Sequence, residues 1–281
     1  MPNLLFFIGV ISFLSACDLS DKPKENQVEA PKMADTSTQI ETQATMPTGL
    51  SFKKFTLKSE NCDLPFRDDM EIDEDWCNTR EIDGLKVSMK DAEVAQKINV
   101  LIEKVITGPM WSAPGTGKEK SLKEFMADIK NTSNETGDID YMQDSYTCRL
   151  ADSSNTFLSM HIFSEYYGLG AAHGQHGISV INVDLKTGNQ IKLKDVLVDN
   201  YKSALKALGK RKFLEQNGND EGWFLEDGQP FELPDVFSIT RKGITFTYQV
   251  YEIGPYAAGA PEVFLSIKDL GSLLKVNPYL K

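Results

Sequence analysis

Apolar residues change their spacing three times along this chain. Residues 4–14, Leu-Leu-Phe-Phe-Ile-Gly-Val-Ile-Ser-Phe-Leu, form an 11-residue apolar run without a charge. A bilayer-spanning helix needs about 20 such residues, whereas the core of a signal peptide needs about 7–15. Residues 18–50 then show no apolar period and no aromatic residue. Such a stretch cannot bury enough surface to order itself and reads as a disordered tether. From residue 51 the spacing alternates between helix and strand periods, and the folded region begins.

Within that region Val94, Ile98, Leu101, Ile102 and Val105 share one helical face. Asp91 is the expected N-cap of this helix and Gly108-Pro109 its expected stop. A second helix is expected from Ser121-Leu122-Lys123-Glu124, which reads as a capping box, and should bury Leu122, Phe125, Met126 and Ile129. Residues 140–150 and 156–167 predict strands parted by the turn residues Asp152-Ser153-Ser154-Asn155, and residues 178–185 predict another. Residues 195–216 read as one helix with Val196, Leu197, Tyr201, Leu205, Leu208 and Phe213 inward. A hairpin is expected over 235–241 and 244–252, then a last strand over 262–268 and a short helix near Asp269. Strands mostly follow strands, with helices interspersed. That order predicts an α+β fold of antiparallel sheets with a few packed helices.

Composition narrows the function classes. The 281 residues hold 41 acids against 30 bases, for a net charge of -11. Phosphate backbones demand clustered Lys and Arg, so no nucleic-acid partner is expected. The tether carries six of the acids and three lysines, leaving -8 on residues 51–281.

The apolar run leads into Leu14-Ser15-Ala16-Cys17. Small residues before a cysteine resemble a bacterial lipobox, which implies a lipid on Cys17 and a membrane anchor through the N-terminal lipid. The n-region, Met1-Pro2-Asn3, departs from the pattern in lacking Lys and Arg. The expected location is the periplasmic side of a bacterial cell envelope, on either the inner or the outer membrane. In that oxidising compartment Cys62 and Cys77, which bracket a polar loop, are the expected disulfide, with Cys62–Cys148 and Cys77–Cys148 as alternatives. Cys148 sits mid-strand, where burial is the expected fate.

Several motifs come close to known chemistry and miss it. Gly168-Leu169-Gly170-Ala171-Ala172-His173 lacks the third glycine of a dinucleotide fingerprint. Gly115-Thr116-Gly117-Lys118 lacks the first glycine and the final Ser or Thr of a P-loop. The acids from Asp63 to Asp75 suggest calcium at Asp69, Glu71 and Asp73, but Glu74 stands where the EF-hand glycine belongs and Arg80 where its last ligand belongs. His173 and His176 could supply two metal ligands and His161 a third, although the surrounding glycines suggest a tight bend. Trp111 and Trp223, in stretches rich in Gly, Pro and acids, could stack on a sugar or cap the edge of a core. No metal and no cofactor are expected.

Two segments carry a family resemblance. Tyr167-Gly168-Leu169-Gly170-Ala171-Ala172-His173-Gly174, followed by Asn182–Gly188 and Leu193–Leu197, resembles the central pattern of the RsiV-like extracellular domain. Phe246-Thr247-Tyr248-Gln249-Val250-Tyr251-Glu252-Ile253-Gly254-Pro255-Tyr256-Ala257-Ala258-Gly259 resembles that family's most distinctive segment. The first half resembles the domain beside the catalytic module of PdaC-type peptidoglycan deacetylases. The chain thus divides into four parts: a lipoprotein signal peptide over 1–17 and a tether over 18–50, read from the residues themselves, and, as the resemblance implies, a PdaC-companion-like region over 51–182 and an RsiV C-terminal-like region over 183–281. The resemblance also implies an envelope-binding role, toward a lysozyme-like protein or cell-wall peptidoglycan, with His173, Glu252, Pro255 and Tyr256 as motif positions for ligand binding. Neither anti-sigma activity nor deacetylation is expected. The rival is an envelope glycan hydrolase using Glu252 as acid/base or a His173/His176 metal site, and a third reading is a structural envelope protein.

Overall fold

The computed structural model describes residues 49–64, 76–108, 120–130, 141–218, 222–225 and 230–281. The expected signal peptide, Cys17, most of the tether, the calcium-like acids of 65–75, Trp111 and the P-loop-like glycines lie outside the described residues. Leu50, at the end of the stretch read as tether, is buried in the core.

Two strands that the spacing did not announce open the fold. Strands β1 (Ser51–Asn61) and β2 (Asn78–Ser88) pair antiparallel along their whole lengths. Their burial alternates, and Phe55 lies over Gly84 of the partner strand, where a Cβ would come within 2.1 Å of the ring. The last pair in register is Asn61 with Asn78, which brings the next residues, Cys62 and Cys77, face to face. They form a disulfide with a Cα–Cα distance of 4.2 Å across a separation of 15 residues. Closing a loop of that length contributes about 3 kcal/mol in the chain-entropy account.

Helices α1 (Ala92–Thr107) and α2 (Leu122–Ala127) cross from β2 to the parallel strand β3 (Met142–Ser153). Asp91 caps α1 by accepting from the backbone of Glu93 and Val94 at 3.1 Å each. The inner stripe of α1 is Val94, Ala95, Ile98, Ile102 and Ile106, one position beyond Val105 at its C-terminal end. Ser121 and Glu124 complete the capping box of α2, which buries Phe125. Antiparallel strands β4 (Phe157–Gly168) and β5 (Gln175–Asp184) finish a five-stranded sheet in sequence order. α1 and α2 cover one face of this sheet, over Ile82, Tyr146, Cys148, Leu158, Met160, Ile162 and Ile181.

A second core follows. The run 195–216 is not one helix: α3 (Leu193–Val196) and α4 (Tyr201–Asn217) are separated by extended Leu197, which bridges Leu274, and by Asn200 in the left-handed region. Backbone bonds from Val198 to Leu273 and from Lys275 to Val196 hold that break open. Strands β6 (Phe237–Thr240), β7 (Gly243–Thr247) and β8 (Glu262–Ser266) form an antiparallel sheet, and α5 (Ile267–Leu270) follows. Leu205, Leu208 and Phe213 of α4 pack with Ile239, Ile244, Phe246, Val263 and Leu265. The strand expected to reach residue 252 stops at Thr247, because the chain turns away at Gln249. Among the described residues the fold is therefore α+β, with two largely antiparallel sheets and five α-helices.

Amide side chains stand in for missing strand partners. Asn182 of β5 accepts from Ile239 N–H at 2.8 Å and donates to Phe237 O at 2.7 Å, which bolts β6 to the large sheet. Gln216 does the same for Phe264 of β8, and Gln249 for Ile178 of β5. Each amide offers one donor and one acceptor to a strand edge whose polar groups would otherwise lack partners.

Candidate functional site

The face of the large sheet away from α1 carries a row that the register alone dictates. Glu81 pairs with Ser145, Ser145 with Glu165, and Glu165 with His176. Residues directly opposite one another across a sheet point to the same side. The row therefore forms a polar floor, in which the Ser145 hydroxyl donates to Glu165 at 3.3 Å. Thr79, Gln143 and Tyr167 form a second row beside it. Together with Tyr166, Gly174 and Tyr256 these rows line an open groove of about 400 Å³. Among the described residues the lining includes Glu81, Asp144 and Glu165 but no Lys or Arg. Asp144 is paired with Arg80, whereas Glu81 and Glu165 are exposed.

One wall of the groove is built from the two family-like segments. Gly168 and Ala171 close a turn after β4, which delivers His173 and Gly174. Tyr256 begins a 3₁₀ turn behind exposed Pro255. The Tyr256 hydroxyl donates to Gly174 O at 2.8 Å, and its ring stacks on His173 with centroids 4.1 Å apart. His173 Nδ1 lies 2.9 Å from the same carbonyl and so donates to it, which leaves Nε2 to accept from Tyr251 Oη at 3.4 Å. His176 meets Tyr256 edge-on, and Tyr251 lies 5.6 Å from it. Trp76 packs on Tyr167 of the second row with centroids 6.1 Å apart, next to the disulfide at Cys77.

The fold thus gathers His173, Pro255 and Tyr256 in one place. Glu252 belongs to the same loop but does not end a strand. Its carboxylate accepts from Gln249 N–H at 2.7 Å, and its backbone N–H donates to Gln249 O, closing a turn. Desolvation raises the Glu252 carboxyl and Asp235 adds to the rise, while the bond from Gln249 opposes it. Among the described residues no group of three or more His, Cys, Asp or Glu is placed to hold a metal. His161 sits elsewhere, on β4 opposite Arg149 and Val180, with a buried Nε2 that has no hydrogen-bond partner. Cys148 is buried in β3, and burial pushes its thiol up to about 11, so it is not a nucleophile. Trp223 caps a core edge, meeting Phe213 edge-on at 5.0 Å and lying against Gly254, where a Cβ would come within 2.8 Å of it.

Sequence reasoning missed Tyr251, Trp76, Glu81 and Glu165. Tyr251 was visible as one more aromatic in the distinctive segment. The carboxylate row becomes visible only once β2 is recognised and its register with β3 is known.

Among the described residues no helix is long and apolar enough to cross a membrane. No curated protein matches the chain. Residues 194–268 match the model of a family described as a protein of unknown function, DUF3298. That stretch contains α4, the small sheet and the loop bearing Tyr251 and Tyr256. A crystal structure of a DUF3298 family member from Bacteroides fragilis NCTC 9343 is similar at 20% identity, with a TM-score of 0.62 over 84% of this chain and 97% of that one. A DUF3298 family protein from Pseudomonas aeruginosa PAO1 is similar at 19% identity, with a TM-score of 0.62 over 83% of this chain and 97% of that one. The chain therefore shares the fold of these two solved DUF3298 proteins, and its residues 194–268 match the DUF3298 model.

Proposed function

We propose that this chain is a lipid-anchored cell-envelope protein facing the periplasm. Its folded region is a non-catalytic binding module for a lysozyme-like protein or a cell-wall glycan, as its resemblance to RsiV-like extracellular domains implies. The lipobox-like Leu14–Cys17 supports the anchor. The observation that carries the binding role is that both family-like segments, far apart in sequence, meet at His173, Gly174 and Tyr256 on the rim of one groove. Loops held on a rigid scaffold commonly carry recognition. The charge of -8 on residues 51–281 suits a basic protein partner.

Hydrolysis of glycan is the second reading, and one observation favours it. Glu81 and Glu165 lie two strands apart in one row, roughly 10 Å between backbones, near the carboxylate spacing of inverting glycosidases. Both are open to water, however, and a general acid needs a site that keeps it protonated. Glu252, the acid first suspected, is engaged by its own turn.

The test titrates the full chain in mild detergent with lysozyme and with soluble peptidoglycan fragments. Tyr256→Ala is expected to lower affinity by about 1–3 kcal/mol. Tyr256→Phe, which loses only the bond to Gly174, should cost about 1 kcal/mol of stability and keep most of the binding. Unchanged binding by Tyr256→Ala, or release of cleaved glycan by the wild type, contradicts the proposal.

A further inference from the structure

We infer that the groove takes a neutral saccharide and that the ring of Tyr251 is the surface on which a sugar stacks. This inference rests on the binding role proposed above.

The backbone singles Tyr251 out. Its φ is +65°, left-handed for a bulky side chain. It is the third residue of the turn closed by Glu252 N–H to Gln249 O, the position where turns with positive φ take Gly or Asn. A tyrosine is sterically disfavoured there, and the surroundings must hold it in place. They do so from several sides. The Gln249 side chain is clamped to both backbone groups of Ile178, Glu252 caps Gln249 N–H, and buried Ile253 accepts from Phe224 N–H.

The strained residue does not use its ring to fill the core. Tyr251 is 53% exposed, one of few large apolar side chains so open among the described residues. It leans on His173 and Tyr256 at the groove rim, with centroids 6.5 Å and 5.6 Å away. A glycine would satisfy the turn without strain, so the turn itself gives no reason for an aromatic. A ligand-facing role does.

The groove sets the ligand class. Its volume of about 400 Å³ falls among small-ligand clefts, about 300–1,000 Å³. The floor alternates hydroxyl, amide and carboxylate groups from Thr79, Gln143, Ser145, Glu81 and Glu165, a set that matches the hydroxyls of a pyranose. The rim offers aromatic faces, which pack against the C–H face of the same ring. The carboxylates, with no Lys or Arg among the described lining residues, disfavour an anionic ligand.

The experiment titrates the full chain with tetra-N-acetylchitotetraose, a neutral β-1,4 tetrasaccharide, and separately with lysozyme. It compares wild type, Tyr251→Gly, Tyr251→Phe and Tyr256→Ala, and records the melting temperature of each. Expected is binding of the tetrasaccharide by the wild type, retained by Tyr251→Phe. Tyr251→Gly should weaken it about tenfold or more while its melting temperature holds or rises, because glycine relieves the left-handed strain. If Tyr251→Gly binds like wild type while Tyr256→Ala does not, Tyr251 is overturned and the groove remains the site. If the chain binds lysozyme but no tetrasaccharide, the saccharide class is overturned and the binding role stands. If it binds neither, both fall.

Discussion

Replacing Asp144 with Ala is expected to destabilise the protein by about 3–5 kcal/mol, the usual cost of leaving a buried charge without its partner. Arg80 and Asp144 are both buried, with side chains 7% and 3% exposed. Arg80 Nε donates to both carboxylate oxygens at 2.8 Å and 3.0 Å, and Nη2 donates at 2.6 Å. Nη1 donates to Phe125 O at 2.6 Å, and the guanidinium lies 3.8 Å from the centre of the Phe125 ring. Burial raises the Asp144 carboxyl and Arg80 opposes that rise. The pair spans β2 and β3 beneath the groove and grips α2, so its loss loosens the floor that presents Glu81 and Glu165. Chemical denaturation measures the effect. Exchanging both partners for apolar residues of similar volume, Arg80→Met with Asp144→Leu, should recover most of the stability. A single Asp144→Ala variant within 1 kcal/mol of wild type contradicts this picture.

Acid should weaken the fold through His161. Desolvation lowers the pKa of this ring from its ordinary 6.5 to about 4. Its Nε2 is buried without a partner, Arg149 stands opposite on β3, and Phe163 lies edge-on at 5.9 Å. The unfolded chain therefore binds a proton between about pH 6.5 and 4 that the folded chain refuses. The neutral ring's contribution is intact above pH 6.5 and falls as pH drops through that window. The full effect is about 3 kcal/mol, from about 1.4 kcal/mol for each unit of displacement. His161→Phe removes the titrating group and the orphaned nitrogen together. The difference between wild-type and His161→Phe stability, followed from pH 7.5 to pH 4, should shift by this amount in favour of the variant. A difference that stays flat across the window shows that His161 does not titrate as described.

What could be read from the sequence follows local physics. Asp91, Ser121 and Glu124 act on their immediate neighbours, so the starts of α1 and α2 were legible. The apolar alternation of β4 and β5 was legible because both strands lie against a core. β1 was not, since an edge strand with Lys53, Lys54 and Lys58 carries a diluted alternation. Missing β1 and β2 also hid the carboxylate row, which depends on Glu81. The break between α3 and α4 is imposed by Leu274 and Leu273, nearly 80 residues away, and no local pattern announces it. His173 and Tyr256 were marked by family resemblance, but their stacking is a product of tertiary structure. Tyr251 was hidden for another reason: its importance lies in a backbone angle that its residue type disfavours.

The groove rim is the proposed binding face, and hydrogen exchange tests that most directly. The full chain is compared with and without saturating ligand, lysozyme or tetra-N-acetylchitotetraose. Amide protection is predicted to concentrate in residues 166–176 and 249–258, with the amides of α4 unchanged. Protection that spares both loops and appears on α4 or on the turn between β6 and β7 would contradict this reading.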